Sequence, residues 1–207
     1  MAEWLDILDE NGTPIGVKER EAVHRDGNWH RTFDCWVIDR RRPAVLFQCR
    51  SLTKSENPGL LDTSAAGHLR AGETWRDGVR ELEEELGLVV PPHALVPLGV
   101  RVKSARYGSR IDNEFQEVFL TGIDRNTVRL TPGPEEVAAL AWIGLEEGLA
   151  FFSGRCPTVR AEWWEVGVRP RWRELPPAAF VPAVDRYYLK VFIMAERWLA
   201  GKAELAI

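Results

Sequence analysis

Apolar residues along this chain fall into short runs of strand length and two longer stretches of helical period, separated by Gly, Pro, Asn and Asp. Trp4 to Leu8, followed by Asp9-Glu10-Asn11-Gly12, predicts a strand entering a hairpin turn, with a returning segment around Ile15 to Lys18. Thr32 to Ile38 and Ala44 to Cys49 predict a second hairpin around Asp39-Arg40-Arg41-Arg42-Pro43, whose arginines read as a solvated turn rather than a phosphate clamp. Arg50, just past the second strand, is the better substrate-facing candidate. Asn57-Pro58-Gly59 punctuates the chain before Leu60 to Ala66. Further on, Leu98 to Lys103, Glu117 to Leu120 and Val137 to Ile143 predict strands, Thr131-Pro132-Gly133-Pro134 a loop, Leu145 to Phe152 a short helix and Ala183 to Leu199 a closing helix.

The helical period is clearest from Thr74 to Leu86. At roughly 100° per residue, Trp75, Val79, Leu82 and Leu86 share a narrow stripe, and Glu81, Glu84 and Glu85 lie on nearly the opposite side, with Asp77 in the same arc. One face packs and the other presents carboxylates, with Arg80 placed to pair with Glu84 at i,i+4. Gly87 follows as the C-cap. Strands on both sides of this helix argue for an α/β fold, a mixed sheet in an α/β/α sandwich.

The 207 residues, 45% hydrophobic and 28% charged, are enough for one well-formed core. We divide the chain into a main domain over 1–152 and an extension over 153–207, where Trp163-Trp164, Trp172 and Pro176-Pro177 shift the composition. The extension is expected to pack on the same domain, where it has a place beside a substrate pocket or a dimer contact. A net charge of -4 and no basic stripe argue against nucleic acid and anionic membranes, and no apolar run approaches the ~18 residues of a span. Cys35, Cys49 and Cys156 are odd in number and unpatterned, and Met1 to Leu8 is acidic, unlike a signal peptide. Reduced thiols and a cytoplasmic location are the expectation.

Oxygen ligands clustered on one rigid element suit Mg²⁺ or Mn²⁺, which meet proteins through a few carboxylates plus substrate phosphates. An isolated Glu-Glu-Glu run is more often a solvated helix face. Here it belongs to an ordered set: Gly67, Glu73, Arg80, Glu81, Leu82, Glu84, Glu85, Gly87 and Leu88. This set resembles the Nudix box, one residue short, because only the six residues Thr74 to Val79 separate Glu73 from Arg80. Either the loop-to-helix join is tighter than usual, or Asp77 assists. The resemblance implies an α/β/α Nudix fold, homodimers being common in it, and a Mg²⁺-dependent hydrolase of a small-molecule diphosphate. Glu81, Glu84, Glu85 and the backbone at Gly67 would hold the metal, with Arg80 orienting a glutamate. Glu81, Glu85 and Glu114 are the candidates for taking a proton from water.

A second constellation is His24, His30, His68, Asp112 and Glu114. Its order is similar to the metal set of isopentenyl-diphosphate isomerase, a Nudix-fold enzyme that also needs a cysteine just before the glycine loop. Here that place holds Ala66, which cannot move a proton. The resemblance therefore implies an isomerase-related branch that hydrolyses a diphosphate, in a nucleoside diphosphate derivative or a smaller organic diphosphate. His68 is a ligand or a substrate contact on this reading. The isomerase itself and a non-catalytic nucleotide-metabolite sensor are the alternatives.

Overall fold

Alternation along the central strands sorts their side chains to two sides of one sheet, and each side is covered by helices. The structure, a computed structural model, describes residues 2–207; Met1, the first residue of the acidic N-terminal stretch, lies outside them. The strands are β1 (Trp4–Leu8), β2 (Pro14–Glu19), β3 (Trp29–Asp39), β4 (Ala44–Arg50), β5 (Leu61–Asp62), β6 (Ala65–His68), β7 (Val96–Tyr107), β8 (Arg110–Ile123), β9 (Val137–Gly144), β10 (Val159–Trp164) and β11 (Arg171–Leu175). The helices are α1 (Arg20–Asp26), α2 (Trp75–Gly78), α3 (Arg80–Leu86), α4 (Leu145–Phe152) and α5 (Tyr187–Leu199).

The sheet runs β11-β10-β9-β4-β3-β1-β2, and β3 also carries β6 and β8, with β7 beyond β8. Only β3 and β8 pair in parallel, from Trp29↔Asn113 to Asp39↔Ile123, so the sheet is mixed as expected. On β3, Phe33, Cys35 and Val37 face one core with Leu82 and Leu86 of α3; Trp36 and Ile38 face the other with Val191, Phe192 and Ala195 of α5. The α/β/α sandwich of the sequence reading is therefore the observed architecture. The hairpin β10–β11 continues the sheet beside β9, with Ala161 opposite Ile143, and buries Trp163 in the α5-side core.

Four local expectations change. The helix expected over Thr74 to Leu86 is two segments parted at Val79, and Gly78, the last residue of the first, sits against Phe33 and Leu69, where a Cβ would come within 2.7 and 2.8 Å of side-chain carbons. Asp77 is not free to assist a metal: it completes a capping box with Thr74, accepting from its backbone N–H and its hydroxyl, each at 2.9 Å. The segments expected over Leu98 to Lys103 and Glu117 to Leu120 are the middles of longer strands. The closing helix begins at Tyr187 rather than Ala183, and α1, which carries His24, has too few apolar residues to show a period. Gly87 caps α3 in the left-handed region at φ 64°, and the Leu88 N–H reaches back to the Leu82 carbonyl (3.0 Å).

The tight seat of Gly78 leads to one expected result. Gly78→Ala should destabilise the chain by about 1–3 kcal/mol through overpacking against Phe33, read as a lower urea midpoint at unchanged slope. An unchanged midpoint would show that this junction has slack.

Candidate active site

Strand β6 and helix α3 bring the box residues together. Glu85 is buried, and its Oε2 accepts from Gln48 Nε2 (2.9 Å) and from the Ala66 N–H (3.0 Å). The Glu81 carboxylate lies over Gly67 so closely that any Cβ there would collide with it. Arg80 organises the group: its Nη1 donates to Glu73 (2.9 Å), and its Nη2 donates to the His68 carbonyl (3.0 Å) and pairs with Glu81 (3.0 Å). Glu73 also accepts from the Arg70 N–H (2.8 Å), so it tethers the loop to Arg80 across the shortened join. Glu84 is 54% exposed at its side chain and only 3.8 Å from Arg80 Nε, free to meet a ligand from solvent.

Burial sets the protonation of these groups. It pushes Glu85 up to about 8 and Glu81 up to about 7, the neighbouring carboxylates adding to the effect in each case. Two buried carboxylates with raised proton affinity, side by side and short of compensating cations, are the condition a divalent ion relieves.

The second constellation also assembles. His24, His30, His68 and Asp112 each offer one ligand atom, all within 4.8 Å of one another. The three imidazole centroids form a triangle with sides of 5.0, 5.1 and 5.1 Å. His24 Nδ1–H donates to the Arg20 carbonyl (2.7 Å) and His30 Nδ1–H to that of Asn28 (3.1 Å); since a carbonyl only accepts, these contacts assign the tautomer that leaves Nε2 as a lone pair. His30 Nε2 and Asp112 Oδ1 are buried without a hydrogen-bond partner. Burial lowers His30 to about 4 and holds His68 well below the usual histidine range, so both are neutral ligands at pH 7. For His24 burial acts downward too, yet the Asp112 carboxylate outweighs it and the net direction is up. Inward lone pairs, orphaned polar atoms and fixed tautomers fit a cation, and this group could bind one. Glu114 is not in this group: its Oε2 accepts from Lys103 Nζ (2.9 Å) and Gln116 Nε2 (2.8 Å), and Lys103 also holds Asp112 Oδ2 (3.1 Å).

The box carboxylates Glu81, Glu84 and Glu85 and, from the second constellation, His24, His68, Asp112 and Glu114 line one cavity of about 800 Å³, with His30 buried behind them; the cavity also exposes Arg50, Lys54 and Arg110. Arg50 faces it while tied to Asp62 (3.1 Å) and the Glu56 carbonyl (2.9 Å). Sequence reasoning missed Gln48, Asp34 and Lys103 here. A lone Gln in AVLFQC and a lone Asp in TFDCWV were readable signals of polar groups at core positions. Lys103 was not readable, because its role depends on standing opposite Glu114 in the β7–β8 register.

Gly67 yields a clean separation of fold from site. Gly67→Ala should leave stability within about 1 kcal/mol, since the obstructing group is the end of a flexible side chain, while pushing Glu81 aside and lowering turnover on the order of 100-fold. Parallel melting curves and rate measurements check it; equal rates would remove Glu81's placement from the chemistry.

A family model, the NUDIX domain, matches residues 28–156. An uncharacterized Nudix hydrolase of Clostridium acetobutylicum is 36% identical, over 90% of this chain and 93% of its own length. An isopentenyl-diphosphate Delta-isomerase of Cutibacterium acnes is 32% identical over 70% of this chain and 75% of its own. Nudix hydrolase 3 of Arabidopsis thaliana is 37% identical over 75% of this chain, which spans only 21% of that protein. Among solved structures, one from Deinococcus radiodurans superposes with a TM-score of 0.55 at 24% identity, covering 73% of this chain and 89% of its own, a likeness of fold. With the box residues gathered in one cavity and the family model spanning most of the sheet, the chain belongs to the Nudix family, as an enzyme of its pyrophosphohydrolase class.

Proposed function

We propose that this cavity hydrolyses a diphosphate linkage in a nucleoside diphosphate derivative or a smaller organic diphosphate, with Mg²⁺ as cofactor. The observation that carries the reading is the convergence of buried Glu81 and Glu85, with exposed Glu84, on the Gly67 backbone inside a cavity rimmed by Arg50, Lys54 and Arg110. Glu81, Glu84, Glu85 and the Gly67 backbone would hold Mg²⁺, or Mn²⁺ in its place. When bound, the metal neutralises charge on phosphoryl oxygens and makes a water more acidic.

The chain's own residues supply the rest. Arg50 and Lys54 meet the phosphate oxygens as fork and point donors respectively. Gln48 and the Ala66 N–H fix one oxygen of Glu85 and leave the other directed at the cavity. Arg80 holds Glu81 in the metal set, and Glu114, the candidate carboxylate outside both ligand groups, takes the proton as water attacks phosphorus and the bridging P–O bond breaks. His24, His30, His68 and Asp112 would hold a second cation; three imidazole nitrogens and one carboxylate favour Mn²⁺ or Zn²⁺ over Mg²⁺.

A screen of purified protein with Mg²⁺ or Mn²⁺ across nucleoside triphosphates, dinucleotides, nucleotide sugars, coenzyme A and isoprenoid diphosphates tests the reading. Phosphate or nucleoside monophosphate release that Glu84→Gln abolishes supports it; silence throughout from folded, metal-loaded protein sinks it. The assembled histidine triangle favours a second reading, the isomerase. Against it, Ala66 offers no exchangeable proton, and Cys35, paired opposite Ala65, is fully buried with its thiol pushed up by burial. Conversion of isopentenyl diphosphate without phosphate release would favour it.

A further inference from the structure

The segment Val181 to Ala183 forms part of the cavity wall, although it lies far along the chain from the box and outside every motif. It is an extended strap, held at one end by the Val181 N–H on the Leu61 carbonyl (2.9 Å) and by the Tyr188 hydroxyl donating to the Val181 carbonyl (2.9 Å). At its other end the chain turns into α5 through Arg186, which is left-handed at φ 58°, a conformation unfavourable for a residue with a side chain. Such a turn persists only where its surroundings hold it.

Arg101 makes the shortest contacts that hold it, with Lys190 Nζ farther off at 3.8 Å from Asp185 Oδ2. Arg101, on β7, donates from Nε and Nη2 to the two oxygens of Asp185, each at 2.8 Å, and its guanidinium lies 3.9 Å from the centroid of the Tyr187 ring. Arg101 therefore grips the residues on either side of the left-handed Arg186. Its remaining arm, Nη1, donates to Gln116 Oε1 (2.8 Å), and Gln116 Nε2 donates to Glu114 Oε2 (2.8 Å). All three guanidinium nitrogens are engaged, and only a planar fork satisfies these partners together.

Resting on the reading that this cavity is where the diphosphate is hydrolysed, we propose that Arg101 is a positioning residue: through Asp185 and Tyr187 it sets the strap wall, and through Gln116 it aims Glu114. Two walls of the cavity, one from the β7–β8 hairpin and one from the C-terminal segment, keep a common shape because one guanidinium bridges them. Lysine cannot replace it, since a single ammonium cannot reach Asp185 bidentately, stack on Tyr187 and donate to Gln116 together.

The test uses the full chain and the variants Arg101→Met, Arg101→Lys and Asp185→Asn, with Asp185→Asn as the milder change should Arg101→Met fold poorly. Amide hydrogen exchange over 181–186 in metal-free protein should quicken at least tenfold in both Arg101 variants and less in Asp185→Asn, while exchange in β3 is unchanged. With the diphosphate best turned over by the wild type in the screen above, Arg101→Met should raise KM about tenfold through the wall and lower kcat about tenfold through Glu114. Asp185→Asn should raise KM alone, a split that a general loss of stability does not produce. Unchanged strap exchange in folded Arg101→Met overturns the proposal, as do unchanged kinetics beside quickened exchange. A wild type silent on every diphosphate overturns the hydrolase reading instead, and strap exchange then decides by itself whether Arg101 holds the wall.

Discussion

Replacing both Glu84 and Glu85 by Gln is expected to cut metal-dependent diphosphate turnover on the order of 10³-fold while the fold stands at least as firmly as before. The two effects come from the same burial. Glu85 is enclosed by α3, β4 and β6, and its one engaged oxygen accepts from Gln48 and the Ala66 N–H. A glutamine carbonyl oxygen takes over both bonds at the same volume, and its NH₂ then points where the free carboxylate oxygen had pointed. The site loses a negative charge and a ligand atom and gains a donor, which repels a cation. The core loses a carboxyl whose ionisation burial opposes, its value pushed up to about 8, so the substitution removes the desolvation cost of ionising it as pH rises. Turnover with Mg²⁺ or Mn²⁺ and a melting curve on the same preparation check both halves. Unchanged turnover in the folded double variant would take the α3 carboxylates out of the mechanism.

The metal-free protein should lose stability as pH rises from about 6.5 to 8, above the range in which the lowered values of His30 and His68 act in the opposite direction. Glu85 at about 8 and Glu81 at about 7 both lie above the ordinary glutamate value of 4.5. Between the unfolded and folded values the native state binds more protons than the unfolded chain, so the slope of stability with pH is negative there. The stabilisation is fully present below pH 4.5 and is lost as pH passes through 7 and then 8. The loss is a few kcal/mol at most, about 5–10 °C in Tm for a chain of this size. Added Mg²⁺ or Mn²⁺ should restore the melting temperature at pH 8 far more than at pH 5, because ligation and deprotonation are linked. Thermal scans at pH 5, 6.5 and 8, with chelator and with metal, measure it. A flat profile with chelator would mean that water reaches these carboxylates and holds them near their ordinary values.

Much of the catalytic half was legible because its determinants are local. The 3.6-residue period puts Leu82 and Leu86 inward and Glu81 and Glu84 outward whatever surrounds them, and a helix followed by Gly87 must end in a left-handed cap. The period also placed Glu85 on the outward arc, whereas it is buried, since β4 and β6 close over that edge of the helix. The tight seat of Gly78 and the capping role of Asp77 were equally hidden, because they answer to Phe33 and Leu69 across the sheet and to the seat of Thr74.

The amino-acid sequence by itself determined the family, the α/β/α layering and the identity of the box carboxylates, because these rest on short-range spacing and on alternation within single strands. Tertiary structure alone decided that His24, His30, His68 and Asp112 share one 4.8 Å neighbourhood without Glu114, and that Lys103 and Gln116 occupy one oxygen of Glu114. It also decided that Asp185 and Tyr187 close on Arg101, 84 residues back for the aspartate. The physical reason is register: which side chains meet across a sheet is set by strand pairing and layer packing over long separations, and a one-residue slip would turn the strand-borne groups, His30, His68, Arg101, Lys103, Asp112, Glu114 and Gln116, to the other face.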